Sequence, residues 1–142
     1  YNKLYCDTFR IQNAVSYFCK EKDTVFLFCI IKEEYMKTQI DYSKDTLYVK
    51  LNGDIDHHSA KYIREEIDRE LYKYQPTTMI MDLSNVDFMD SSGLGLILGR
   101  YTKINMFGGV LKVANPSERI EEMLIMAGTD KLIPIEKGVK FI

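Results

Sequence analysis

The chain has 142 residues, enough for one domain, and its 46% hydrophobic and 28% charged residues are those of a globular protein rather than a disordered tail. Nineteen Lys and Arg against twenty-one Asp and Glu give a formal charge of −2, so no general electrostatic pull toward nucleic acid or an anionic membrane is expected. No stretch approaches the roughly 20 apolar residues that span a bilayer, and the start lacks a signal-peptide layout, so a soluble cytoplasmic domain without a membrane partner is expected.

The first 35 residues stand apart. They hold all three cysteines, Cys6, Cys19 and Cys29, and eight of the Phe and Tyr residues, against nine in the following 107. Three thiols cannot all pair within one chain, no C-x-x-C spacing occurs, and unpaired thiols in a reducing compartment are expected. Lys32-Glu33-Glu34 requires a purine-rich codon run of the kind found in bacterial ribosome-binding sequences, one codon before Met36. The reading is that translation starts at Met36 and that residues 1–35 are upstream read-through or an irregular extension, the alternative being an added strand at 24–31.

From Met36 the elements follow in order. Alternation over 38–43 and 46–51, with Ile40, Tyr42, Leu47, Val49 and Leu51 apolar, predicts a hairpin turning at Lys44-Asp45. Ser59 is the expected N-cap of a helix running to about Tyr74, whose apolar positions Ala60, Ile63, Ile67 and Leu71 share one face; Pro76 marks its exit. The apolar run 78–83 predicts a strand covered on both faces. Asp90 is placed to cap a helix from Ser91 to about Met106, followed by Gly108-Gly109. A strand at 110–114 comes next, then a helix announced by Asn115 as cap, Pro116 at its first position and Glu118 at its third, ended by Gly128. A last strand is expected at 132–136.

The order β-β-α-β-α-β-α-β predicts an α/β domain: a mixed sheet with an N-terminal β-hairpin and parallel strands connected by helices. Functional loops in such sheets lie at the carboxyl ends of the strands, which selects 53–59 and 84–92. In the second loop, Met89-Asp90-Ser91-Ser92-Gly93-Leu94-Gly95 stands at a helix start, where free backbone N–H groups and the helix dipole favour negative charge. A phosphoserine there would gain from the dipole but meet repulsion from Asp87 and Asp90, which suits blocking a docking surface better than building structure. Gly93, Gly95 and Gly99 are expected to admit close backbone approach. Their spacing is one residue too long for G-x-G-x-x-G, and no P-loop lysine follows. A rival reading places a metal-dependent phosphoesterase on Asp54, Asp56, His57 and His58, but catalysis would need further ligands and the chain contains only those two histidines.

The segments Leu51-Asn52-Gly53-Asp54-Ile55-Asp56-His57-His58-Ser59-Ala60 and Asp90-Ser91-Ser92-Gly93-Leu94-Gly95-Leu96-Ile97-Leu98-Gly99-Arg100-Tyr101 resemble the STAS-domain anti-sigma factor antagonists, and among them most the anti-sigma F antagonists of sporulation. The resemblance runs from about Met36 to Glu136. It implies a non-enzymatic switch without cofactor or bound metal, in which the unphosphorylated antagonist binds an anti-sigma factor serine kinase and so frees the sigma factor. Phosphorylation of the serine after the motif Asp, here Ser91, inactivates the antagonist, and a PP2C-type phosphatase restores it. By position, Asp56 belongs to the partner-contact loop, and Asp90, Ser92, Gly93, Leu94 and Gly95 form the partner-binding turn around Ser91. STAS modules of stress-response and transporter systems are the alternative. The family continues into a C-terminal helix where this sequence stops, so a domain lacking that helix is expected.

Overall fold

The computed structural model describes residues 38–140, which lie in the second of the two units into which the chain divides, Lys37–Ile142. The read-through reading, the strand at 24–31 and the three thiols all fall outside the described residues.

Strands β1 (Thr38–Ser43) and β2 (Thr46–Asn52) pair antiparallel with Ser43 opposite Thr46, so only Lys44 and Asp45 turn the chain. Both have positive φ, 50° and 61°, the twist that suits a two-residue hairpin. The turn is held from outside: the Asp45 carbonyl accepts from the Thr77 N–H at 3.1 Å, and its carboxylate accepts from the Tyr42 hydroxyl at 3.1 Å. Strands β3 (Thr78–Asn85), β4 (Val110–Ala114) and β5 (Ile135–Glu136) add in parallel, giving the spatial order β1-β2-β3-β4-β5. This is the mixed α/β sheet expected from the element order.

Helix α1 (His57–Tyr74) joins β2 to β3, α2 (Ser91–Met106) joins β3 to β4, and α3 (Glu118–Met126) follows β4. Alternation puts Leu47, Val49, Leu51, Met79, Met81, Leu83, Leu111 and Val113 on one side of the sheet, where they are fully buried with Ile63, Ile67 and Leu71 of α1 and Leu96, Ile97 and Ile104 of α2. On the other side Tyr48, Ile80 and Lys112 are half-buried. Strand β3 is therefore not covered on both faces as its apolar run suggested: Ile80 keeps access to solvent, and Asp82, buried beside it, accepts from the Ser84 N–H at 2.8 Å.

Three element ends differ from expectation, each for a local reason. The cap of α1 is Asp56 rather than Ser59. Asp56 Oδ1 accepts from the Ser59 N–H at 2.8 Å while Ser59 Oγ accepts from the Asp56 N–H at 3.0 Å, so Ser59 is the far half of a capping box and the helix begins at His57. Asp56→Ala should lower unfolding stability by about 1 kcal/mol in urea denaturation, with the midpoint shifted and the slope unchanged. The cap of α3 is Ser117, not Asn115, because the Asn115 amide is committed elsewhere. Its Nδ2 donates to the Val139 carbonyl at 2.6 Å and its Oδ1 accepts from the Val139 N–H at 3.1 Å, with φ of 52° turning it toward that segment. The last strand shrinks from 132–136 to Ile135–Glu136, since Gly128 at φ 73° leads into a 3₁₀ turn, Thr129–Lys131, that leaves Leu132 exposed.

Candidate functional site

The loops after β2 and β3 continue the parallel pairing of their strands. Gly53 donates its N–H to the Asn85 carbonyl at 2.9 Å, Ile55 to Phe88 at 3.0 Å, and Asp90 to Ile55 at 3.2 Å, while Asn85 Nδ2 donates to Asn52 Oδ1 at 2.7 Å. Ile55 and Met89, both fully buried, face each other as a one-residue bridge. The next residue on each strand is an N-cap, Asp56 on one side and Asp90 on the other. The bridge thus brings two helix starts into register, one opening at His57 and the other at Ser91. That juxtaposition is the core of the site.

Asp90 holds its turn by accepting from the Ser92 N–H at 2.8 Å, and the Gly93 N–H donates to the Asp90 carbonyl at 3.0 Å. Ser91 is exposed, and its hydroxyl makes no hydrogen bond among the described residues. Ser92 turns toward α1, with its Oγ 3.4 Å from His57 Nδ1. Phe88, 40% exposed, flanks the turn beneath the Arg119 guanidinium, 5.7 Å from its ring centroid. Of the residues expected at the site, Asp56, Asp90, Ser91 and Ser92 are brought to one rim, with half-buried Leu94 and exposed Gly95 one turn along α2.

The glycines divide. A Cβ on Gly93 would stand 1.9 Å from Met89 Cγ and 3.3 Å from Ile55 Cγ2, so α2 rests on the Ile55–Met89 bridge at a position that leaves no room for a side chain. Gly95 and Gly99 would meet nothing within 4 Å, so the close approach expected of all three occurs within this domain only at Gly93. Gly93→Ala should therefore lose about 1–3 kcal/mol to overpacking, whereas Gly95→Ala should gain up to about 1 kcal/mol of helix propensity. Thermal unfolding of the two variants should move in opposite directions.

Across from the site, Arg100 of α2 is 3% exposed and meets Asp68 of α1, its Nε 2.9 Å from Oδ1, while Lys103 Nζ lies 2.5 Å from Oδ2. The Nε–Oδ1 approach is an ion pair without hydrogen-bond geometry, and Arg100 Nη1 is likewise buried without an acceptor among the described residues. Burial pushes the guanidinium below the usual arginine range; Asp68 opposes that and Arg64 reinforces it. Asp54, Asp56, His57 and His58 contribute to no group of three or more His, Cys, Asp or Glu side chains that could hold a metal ion among the described residues. Nor is any described helix long and apolar enough to cross a membrane.

Sequence reasoning missed His57 as a neighbour of the serine turn. The signal was present as a repeated dipeptide: Ile55-Asp56 and Met89-Asp90 each place a buried apolar residue immediately before a capping Asp.

A model of the STAS domain matches residues 37–142. The chain is 36% identical over 100 residues to the anti-sigma F factor antagonist of Paenibacillus polymyxa, covering 70% of this chain and 86% of that protein. It is 29% identical over 100 residues to the anti-sigma-B factor antagonist of Bacillus subtilis (strain 168), covering 70% and 90% respectively. The solved structure of the anti-sigma factor antagonist SpoIIAA in its unphosphorylated form superposes with a TM-score of 0.65 at 28% identity, over 72% of this chain and 89% of that one.

Proposed function

The chain belongs to the STAS domain family, and from that premise we propose that it is an anti-sigma factor antagonist controlled by phosphorylation of Ser91. The unphosphorylated form binds an anti-sigma factor that is itself a serine kinase, in the cytoplasm, and so releases the sigma factor. The kinase transfers the γ-phosphoryl group of ATP to Ser91 Oγ: the new O–P bond forms as the bond to ADP breaks, and the hydroxyl proton leaves to a base on the kinase. A PP2C-type phosphatase reverses the modification by hydrolysis. The working domain is 36–142, with residues 1–35 outside it.

The observation that carries this reading is the exposed Ser91 hydroxyl at the first residue of α2, without a hydrogen-bond partner among the described residues and held on a turn that its own domain fixes from behind. A kinase can reach it without unfolding anything. The phosphate would add about −1.5 to −2 charges beside the capping carboxylates Asp56 and Asp90. An anionic rim of that strength opposes docking of a surface that had fitted a neutral serine. Gly95 and Gly99, with open space where side chains would project, leave the adjoining face of α2 flat for a partner.

The sigma F pathway of sporulation is supported by the higher identity to an anti-sigma F factor antagonist, 36% against 29% for an anti-sigma-B factor antagonist. In a stress-response setting the Ser91 switch would be the same and only the released sigma factor would differ. Incubation with ATP and a sigma F-type anti-sigma kinase, followed by tandem mass spectrometry, tests the reading. A single phosphate on Ser91, absent from Ser91→Ala, is expected. Phosphate confined to Ser92, or none while the kinase modifies a control antagonist, would overturn it.

A further inference from the structure

Between the first turns of α1 and α2 lies a groove of about 510 Å³ lined by His57, His58, Lys61 and Arg64 on one side and Ser92, Gly95 and Leu96 on the other, with Ala60 at its base. No Asp or Glu among the described residues lines it, although the chain as a whole is acidic. Lys61 and Arg64 are exposed and form no ion pair among the described residues. Arg64 also repels buried Arg100, whose Nη1 lacks an acceptor among the described residues. Asp68, the acidic residue one turn beyond Arg64, is already shared between Arg100 and Lys103.

We infer that this groove receives a carboxylate-rich peptide segment of the partner protein that engages the Ser91 turn. The inference rests on the partner reading above and names the chemistry of its contact. Three observations point to a peptide rather than a single small anion. His57, Lys61 and Arg64 are spaced i, i+4 and i+7, so they form one row along α1 about 10 Å long, the reach of several carboxylates in an extended segment. The opposite wall is open at Gly95, where no side chain obstructs a main chain lying in the groove. The end of the row at His57 touches Ser92, so a segment in the groove runs directly onto the serine turn. Unpaired surface cations of this kind steer association and select a partner of opposite charge more than they stabilise the fold.

The groove also gives a physical reason for the partner to sense Ser91. A carboxylate-rich segment arriving at the His57 end would meet the phosphate on Ser91 as like charge, so the contact that attracts the partner is the one that phosphorylation opposes.

The test uses the full chain labelled with ¹⁵N and titrated with hexaglutamate, hexaglutamine or inorganic phosphate. Hexaglutamate should shift amides in 57–64 and 92–96, lose at least about tenfold in affinity on raising salt to about 0.5 M, and leave hexaglutamine inert. The double variants Lys61→Glu with Arg64→Glu, and Lys61→Gln with Arg64→Gln, alter exposed side chains only; both should weaken the peptide at least about tenfold, the reversal more than the neutralisation. The reversal should weaken binding of the unphosphorylated chain to the anti-sigma kinase by a similar factor. No groove shifts at millimolar hexaglutamate, equal shifts with inorganic phosphate, or unchanged kinase affinity in the reversed variant would each overturn the inference. Phosphosite mapping is read separately. Groove shifts without phosphate on Ser91 would remove the switch and leave the groove, and phosphate on Ser91 without groove shifts would do the opposite.

Discussion

Ser91→Asp is expected to bind the anti-sigma kinase at least about tenfold more weakly than the unmodified chain, while Ser91→Ala should bind within about twofold of it. The asymmetry follows from where the residue sits. Ser91 is the first residue of α2, exposed and without a hydroxyl partner among the described residues, so removing the hydroxyl breaks no interaction within the domain. The cap of the helix is Asp90, which keeps its bond to the Ser92 N–H in either variant. Neither substitution should therefore change folding, and differences in affinity report on the interface. A carboxylate at position 91 adds one negative charge to a rim that already holds Asp56 and Asp90, and docking a partner on that rim must then desolvate a charge that a neutral serine lacks. It carries less charge than the phosphate it imitates, so the phosphorylated chain should bind more weakly still. Raising the salt concentration should narrow the gap between the two variants, because the rim is exposed and screened. Equal affinities for Ser91→Asp and Ser91→Ala, measured by calorimetry at low salt, would remove charge at this position as the basis of the switch.

The parts of the fold that were legible in the sequence are those set by one-dimensional periodicity. Alternation placed Leu47, Val49 and Leu51 on one face, and that face is the buried one. The spacing of Ile63, Ile67 and Leu71 placed them together, and they are buried together under α1. What was not legible depends on competition between neighbours for the same hydrogen bond. Asp56 and Ser59 can each cap a helix, and only the folded geometry shows that they cap reciprocally. Asn115 looked like a cap because Asn usually is one there; its amide is drawn instead to Val139, 24 residues away. The site was legible in its parts and not in its join. Asp90 and Ser91 were placed correctly at the start of α2, yet the bridge from Ile55 to Met89 connects loops 34 positions apart in the chain, and no local pattern specifies such a pairing. The same holds for Arg100. Its position four residues after Leu96 and four before Ile104 puts it on the buried face of α2, but its partner Asp68 lies on another helix.

That pairing sets the second large effect. Asp68→Ala should lower unfolding stability by about 3 kcal/mol, the lower part of the range for breaking a buried pair, because Asp68 itself is 17% exposed while Arg100 is 3% exposed. The guanidinium cannot shed its proton near neutral pH, and its Nη1 has no acceptor among the described residues, so losing Asp68 leaves a buried cation facing Arg64 with only the smaller pull of Tyr72 to offset the repulsion. For a domain of this size the melting temperature should fall by more than about 10 °C. The companion variant Arg100→Met decides whether the cost is the lost attraction or the stranded charge. Asp68 would then keep Lys103 and partial access to water, so Arg100→Met should cost less than Asp68→Ala, and adding Arg100→Met to Asp68→Ala should restore part of the loss. A loss below about 1 kcal/mol for Asp68→Ala in urea denaturation, or no recovery in the double variant, would mean that water reaches Arg100 and the pair is only a surface contact. The consequence reaches the site as well. Asp68 and Arg100 tie α1 to α2 along the same pair of helices whose first residues are His57 and Ser91, so an Asp68→Ala chain that still folds should bind its partner more weakly even though Asp68 is about three turns from Asp56.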